Sequence, residues 1–366
     1  MTHKRRRYRV VERAQQTRPT RTDEYSDNNS CTDLFRVLAV VPVLLGLVTV
    51  SLFWGSVQFA FSEVARVLVG PVSNEIVSIV VRTVRVPRIA AAVAVGAALS
   101  VSGLVMQTVF RNALAGPGVL GVGSGAGFGV AVVLLTGIGS DLFLPVGIAA
   151  IIGASSVLLL ALVVNRLVGE PVVLLVLGLL FGYAASAGTT VLMASSRSEG
   201  LERYITWSFG SFALPPDSGQ TIVLLAVIVA AVFFTLVGPR IDALLLGAQY
   251  AESSGISASR YHALLIGTAG ALTGLVTALA GPITFLGVAV PHLARGWIGS
   301  SRHRVLVPAT CLIGASLAVA ADLVARMPWS DRALPLNAVT ALIGVPVVLS
   351  VLFGNRGGRG GGGLGL

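Results

Sequence analysis

Lysine is almost missing from this chain. Lys4 is the only one, and no glycine precedes it. A P-loop needs a glycine-rich turn followed by a lysine that reaches the phosphates, so this chain cannot hydrolyse ATP by that route. Cysteine is nearly as scarce. Cys31 and Cys311 lie far apart and exclude both a disulfide framework and a cysteine-based metal cluster. Among the four histidines no H-E-x-x-H pair occurs, and His292 in "AVPHLARG" stands without a neighbouring cysteine pair or carboxylate cluster, as an interfacial or packed histidine would. Charge is the largest deficit: Asp, Glu, Lys and Arg make up 11% of the 366 residues, against about 25% in an ordinary soluble domain.

What fills the space is apolar. Hydrophobic residues make up 54% of the chain and mean hydropathy is +0.86, more apolar surface than a water-soluble fold can bury. Broken at charges and Pro/Gly clusters, the sequence predicts an all-α membrane protein with about ten transmembrane helices. They run over Leu34–Phe53, Ile89–Phe110, Val119–Leu135, Leu142–Val164, Val172–Met193, Ile222–Val237, Leu264–Ala280, Ile283–Ile298, Val305–Leu323 and Leu336–Phe353. Several are short, which suits tilted or broken helices inside a bundle. Residues 1–33 form a basic tail, 34–353 the membrane domain, and 354–366 ("GNRGGRGGGGLGL") a glycine-rich flexible end.

The net charge is +10, and the tail carries a run of basic residues, Lys4, Arg5, Arg6, Arg7, Arg9, Arg13, Arg18 and Arg21. Beside a first span this is the pattern of a cytoplasmic anchor touching membrane lipid, not of a nucleic-acid binder. It is not a signal peptide, because its polar stretch is too long and no small-residue cleavage site follows the first apolar run. An even number of spans then places both termini in the cytoplasm of a multi-pass protein of the cell membrane. Arg82, Arg85 and Arg88 fall on the outer side in that topology. They run against the positive-inside tendency and need another reason.

Glycine is abundant and patterned. "GVGSGAGFG" imitates a dinucleotide fingerprint, but no strand precedes it. Gly121, Gly125 and Gly129 instead form a small-residue face suited to close helix packing, with further pairs at Gly178/Gly182 and Gly270/Gly274. A faint repeat joins Ser102–Val122 to Thr273–Val288: both carry GLV, then LAGP, then LGV. Five crossings separate the copies, so the two five-helix halves would be inverted, an architecture common in transporters. The spans lack paired carboxylates at their middles, which weighs against an ion-coupled secondary transporter, the alternative reading of an inverted-repeat bundle. The inner loop from Gly238 to His262 mixes Asp242, Leu244, Leu245, Leu246, Tyr250 and Ile256 as a short surface helix does, either lying on the membrane or serving as a knob for a cytoplasmic partner.

"RVPRIAAAVAVGAALSVSGLVMQTVFRNALAGPGVLGVGSGAG", "FLGVAVPHLARGWIGSSRHRVLVPATCLIGASLAVAADLVAR" and "LPLNAVTALIGVPVVLSVLF" resemble, in order and spacing, segments of the iron-chelate and cobalamin permease family of ABC importers, whose fold is the type II importer fold. The resemblance implies a permease without bond chemistry of its own, paired with a second permease copy or a similar permease. Two ABC ATPase subunits, which hold ATP and Mg, dock on the cytoplasmic side, and an extracytoplasmic substrate-binding protein delivers a metal-chelate substrate, a ferric siderophore first among the candidates. No cofactor or metal is implied on this chain.

By the same resemblance Arg85, Arg88 and Arg326 receive acidic residues of the binding protein, through guanidinium–carboxylate pairs. The family's coupling segment matches Leu246, Gly247, Ala251 and Gly255. It departs at Ala248, where an acid is usual, and at Ser254, where an apolar residue is, with Glu252 as the nearest replacement carboxylate. The cytoplasmic gate falls at Gly169 and Glu170, where Glu170 is bulkier and more charged than the small polar residues common there.

Overall fold

A computed structural model of the chain describes residues 32–354, apart from positions 56, 58, 70–74, 139–145, 169, 214–219 and 327–333. Nearly all of the expected tail and glycine-rich end, and Gly169 of the expected gate, lie outside the described residues. Most of the rest is helix, which lets apolar backbone satisfy its own N–H and C=O groups away from water. In chain order the helices are α1 (Thr32–Phe53), α2 (Phe61–Val69), α3 (Glu75–Val109), α4 (Val122–Thr136), α5 (Val146–Val168), α6 (Pro171–Ser195), α7 (Ser198–Ser208), α8 (Gln220–Leu236), α9 (Gly238–Leu245), α10 (Ala248–Ser253), α11 (Ala258–Ala280), α12 (Leu286–Ile298), α13 (His303–Ala325) and α14 (Leu336–Gly354).

Six of these are long and apolar enough to cross a membrane: α1, α3, α5, α6, α11 and α13. Helices α8 and α9 make a seventh if the 56° bend between them lies within one span. Every expected span has a helix, but α4, α12 and α14 are shorter. At 13 residues, α12 is about 20 Å long and cannot cross a hydrocarbon core of about 30 Å unaided. The eighth expected span therefore begins as irregular backbone, Gly281–Phe285, buried at Gly281 and Ile283 and exposed at Thr284.

Helix α3 is the mast. It has 35 residues, starts well before the expected Ile89, and carries the arginine cluster within it instead of ahead of it. A π-helical turn, Val80–Arg85, precedes Pro87 and accommodates the ring that would otherwise break the helix. From Ile89 to Val109 α3 is buried on nearly every side. One end packs with the last turns of α11 and α13, through Ala91, Val95, Leu99, Val276, Ala280 and Val319. The other packs with α9, the start of α11 and the start of α13, through Leu104, Phe110, Ile241, Ala258 and Leu306. Helices α3 and α11 are thus antiparallel, which gives the two repeat copies the opposed directions expected of inverted halves.

Contact along α3 is made backbone to backbone. A methyl group on Gly103 would overlap the Gly287 carbonyl of α12, and one on Gly96 would overlap the Gly314 carbonyl of α13. The glycine face of α4 packs as its spacing predicts, with Gly125 against Gly153 of α5 and Gly121 against Gly178 of α6. Replacing Gly103 by Val is expected to cost about 1–3 kcal/mol or more of overpacking strain. In detergent extracts it should lower the yield of monodisperse protein. Gly46→Val on α1 should not, because nothing lies within 4 Å of a Cβ placed there.

Candidate functional site

Functional side chains gather at the two ends of α3. At its first turns the arginines expected to face a partner are turned inward. Arg85 is 3% exposed. Its guanidinium donates to the Leu52 (2.6 Å), Phe53 (3.2 Å) and Val57 carbonyls at the end of α1 and lies 5.2 Å from the centre of the Phe59 ring. A cation on carbonyls left unpaired by a helix C-terminus is favoured by both hydrogen bonding and dipole. Arg88 and Arg326 converge on Asp322, whose side chain is 1% exposed. Arg88 Nε and Nη2 each lie 2.8 Å from Oδ1, and Arg326 Nη2 lies 2.9 Å from Oδ2 and donates to Ser51 Oγ at 2.6 Å. Oδ2 faces Arg326 as a charge contact without hydrogen-bond alignment.

The three arginines are thus brought together, and with Asp322 they tie α1, α3 and α13 into one unit. Two guanidinium groups on one carboxylate, with Arg85 behind them, leave this cluster net positive. Arg82, by contrast, is exposed and donates to Val67 O at 2.9 Å. Beside this end a cavity of about 790 Å³ opens between α4, α5, α7 and α11, lined in part by Glu199, Glu202, Arg203 and Trp207.

At the opposite end the expected surface helix is two helices, α9 and α10, separated by Leu246 and Gly247. Leu246, Glu252 and Gly255 of the expected coupling segment are exposed, as is Tyr250. Ala251 is fully buried and anchors α10 to the bundle, so it is packing, not contact surface. Gly247 (φ +121°) and Gly255 (φ +77°) both occupy backbone that side chains rarely adopt, and nothing lies within 4 Å of a Cβ at either. Their glycines serve turn geometry, not clearance. A groove of about 1210 Å³ runs beside α9, lined by Leu246, Tyr250, Asp242, Arg302 and Arg304 among others. Glu170, from the expected gate, is exposed at the start of α6 and caps it without a side-chain hydrogen bond.

Between the two ends the repeat copies are stitched together. His292 donates through Nε2 to Ala113 O (2.8 Å), Arg295 to Gln107 Oε1 (2.7 Å), and Gln107 to Val288 O (3.2 Å). His292 is thus a packed, bonded histidine. Among the described residues no three His, Cys, Asp or Glu side chains are grouped to hold a metal. Sequence reasoning missed Asp322 as the shared partner of two arginines. It missed His303 altogether, because its partner Asp242 lies 61 positions away and no local pattern links them.

The described residues form a bundle of broken and full-length apolar helices, built from antiparallel repeats, with polar clusters at its ends and along the seam, a build that suits a membrane transport protein. Residues 43–354 match the model of the FecCD transport family, and the chain belongs to that family. It is 36% identical over 274 residues to the vitamin B12 import system permease protein BtuC of Klebsiella pneumoniae subsp. pneumoniae, covering 75% of this chain and 82% of that one. The BtuC of Escherichia coli O9:H4 is 36% identical over 273 residues, 75% of this chain and 83% of its own. A solved metal-chelate type ABC transporter in an inward-facing conformation superposes with TM-score 0.77 at 28% identity, covering 87% of this chain and 98% of that one. This chain is accordingly a multi-pass permease subunit of an ABC importer, a transport chain and not a catalytic one.

Two outcomes follow. Asp322→Ala strands two largely buried guanidinium groups and should destabilise the protein by about 3–5 kcal/mol, read as a fall in thermal midpoint, whereas Glu199→Ala, which breaks the exposed Glu199–Arg203 pair, should leave that midpoint unchanged. Gly255→Asn, which tolerates positive φ, should retain substrate-stimulated ATP hydrolysis of the assembled transporter, and Gly255→Val should lose it.

Proposed function

We propose that this permease carries a metal chelate, with a ferric siderophore as the first candidate, from an extracytoplasmic binding protein into the cytoplasm. The observation that carries the proposal is the 98% coverage of a metal-chelate type transporter at TM-score 0.77. The BtuC relatives, named for vitamin B12, make a corrinoid the second candidate, since it too is a large chelate. In such a cargo the chelator, not the protein, holds the metal, and among the described residues no three His, Cys, Asp or Glu side chains are grouped to take it over.

Two copies of this chain, or this chain and a similar one, form the pore, two ATPase subunits bind ATP and Mg below, and the α9–α10 segment receives them. Both termini lie on that cytoplasmic side. The binding protein docks at the opposite end, where net positive charge around Arg88 and Arg326 favours an acidic partner and the buried Arg85 contributes to the field without touching it. Alternating access follows if ATP-driven closure of the ATPases moves α9 and α10 and the helices tilt behind them.

The test is uptake into proteoliposomes holding the full complex, with labelled ferric siderophore and labelled cobalamin offered through the binding protein. ATP-dependent uptake of the siderophore is the expected result. Cobalamin uptake instead would reassign the cargo, and uptake that follows an ion gradient without the ATPase would overturn the reading in favour of a secondary transporter. Labelling of cysteines placed at Asp27 and Gly360 by an impermeant reagent should occur only from the cytoplasmic face.

A further inference from the structure

Helix α9 is not loosely laid against the bundle. Its first residue, Gly238, sits so close to α13 that a methyl group there would lie 2.8 Å from the Arg304 nitrogen. One turn further, Asp242 Oδ1 accepts both the backbone N–H of His303 (3.2 Å) and its ring Nδ1–H (2.6 Å). Helix α13 has no side-chain cap of its own, its N-cap residue being Arg302. A carboxylate borrowed from α9 therefore meets the first free N–H of α13 and the positive end of its dipole.

The ring carries the connection onward. His303 is 2% exposed, and its Nε2 pairs with the Thr108 hydroxyl at 2.8 Å, in the last turn of α3. Just beyond that turn Arg111, at φ +45°, is the only non-glycine residue with positive φ among the described residues. This costly backbone places its guanidinium on α9, where Nη2 donates to Leu244 O at 2.9 Å. Helix α9 is thus packed against α13 at Gly238 and fastened in its second half, at Asp242 to α13 and α3 through His303 and at Leu244 to Arg111, just beyond α3. Helix α10, by contrast, is joined to its neighbours through the two positive-φ glycines.

We propose that Asp242, His303 and Thr108 form a positioning chain that passes a displacement of α9 to α13 and α3 together, so that the ATPase stroke reaches the two central spans without slippage. The proposal rests on the reading of α9 and α10 as the segment on which the ATPase acts. A cap that served stability alone would change how much complex assembles. A transmitting link changes how much substrate moves per ATP hydrolysed.

The experiment uses the full complex, with Cys31→Ser and Cys311→Ala as the parent background, and adds Asp242→Cys together with His303→Cys. With the thiols open, ATP hydrolysis should persist while uptake per ATP falls about tenfold. Joining the two thiols with a short bifunctional reagent rebuilds the α9–α13 arm, though not the contact with Thr108, and should raise uptake per ATP about threefold to fivefold over the open form. Recovery on bridging the same polypeptide shows that the open form had folded. Uptake per ATP at the parental level with the thiols open would overturn the proposal, because the link would then carry nothing. So would loss of uptake on bridging, which would mean that α9 must slide over α13. A parent complex that showed no ATP-driven uptake would bring down the reading on which the proposal rests, and is distinguished by failing before any substitution at 242 or 303.

Discussion

The structure depends on how closely other helices approach α3. In lipid no hydrophobic force draws one apolar helix to another, so association comes from packing and from hydrogen bonds. Gly96 and Gly103 let α13 and α12 reach the α3 backbone itself, at Gly314 and Gly287. That approach brings Pro117 of the first repeat loop onto Gly287 of the second and sets Gln107, Ala113 and Val288 within reach of their seam partners. The half-length α12 can exist only in this setting. Its preceding backbone is irregular, and it is tolerated where protein encloses it, at Gly281 and Ile283.

Charge is handled by the same economy of enclosure. A guanidinium near a membrane core is costly unless it meets carbonyls or a carboxylate, and each arginine at the first turns of α3 meets one or the other: Arg82 at Val67, Arg85 at Leu52, Phe53 and Val57, Arg88 at Asp322. The result is structural and electrostatic at once. Three helices are fastened at one end, and the fastening leaves net positive charge there because two arginines share one acid. An arginine group that resembles a docking patch in sequence is therefore an internal brace in the structure.

Much of this was legible in the sequence, and the reasons for the remainder are specific. Apolar runs located every helix that packs as a span, because hydropathy is additive along a chain. Glycine spacing gave the α4 packing face, since three and four residues apart is one face of a helix. The inverted halves were readable from the shared GLV, LAGP and LGV together with the five crossings between the copies. The start of α3 was not, because a proline marks a helix start far more often than a π turn that accommodates it. The inward aim of Arg85 and the burial of Ala251 were not readable either, since both depend on what the rest of the chain places beside them. The bond between Asp242 and His303 belongs to the same class: it is set by tertiary approach, which leaves no periodicity behind.

The two halves of the α9–α10 segment illustrate why glycine and carboxylate positions carry different kinds of information. Gly247 and Gly255 have empty space around them and are required by backbone angle alone, so they set where the chain can turn. Asp242 occupies an ordinary helical position and is required by what lies across from it, so it sets what the turn is attached to. On the proposed reading, the positive-φ turns at Gly247 and Gly255 set how α10, held to the bundle by the buried Ala251, meets the ATPase, while α9 moves with α13 and α3. The exposed Leu246 and Tyr250 lie beside the junction between the two. An ATPase gripping them would, on that reading, push on α9 through the Leu246–Gly247 junction, and the bond between Asp242 and His303 would hand that push to α13.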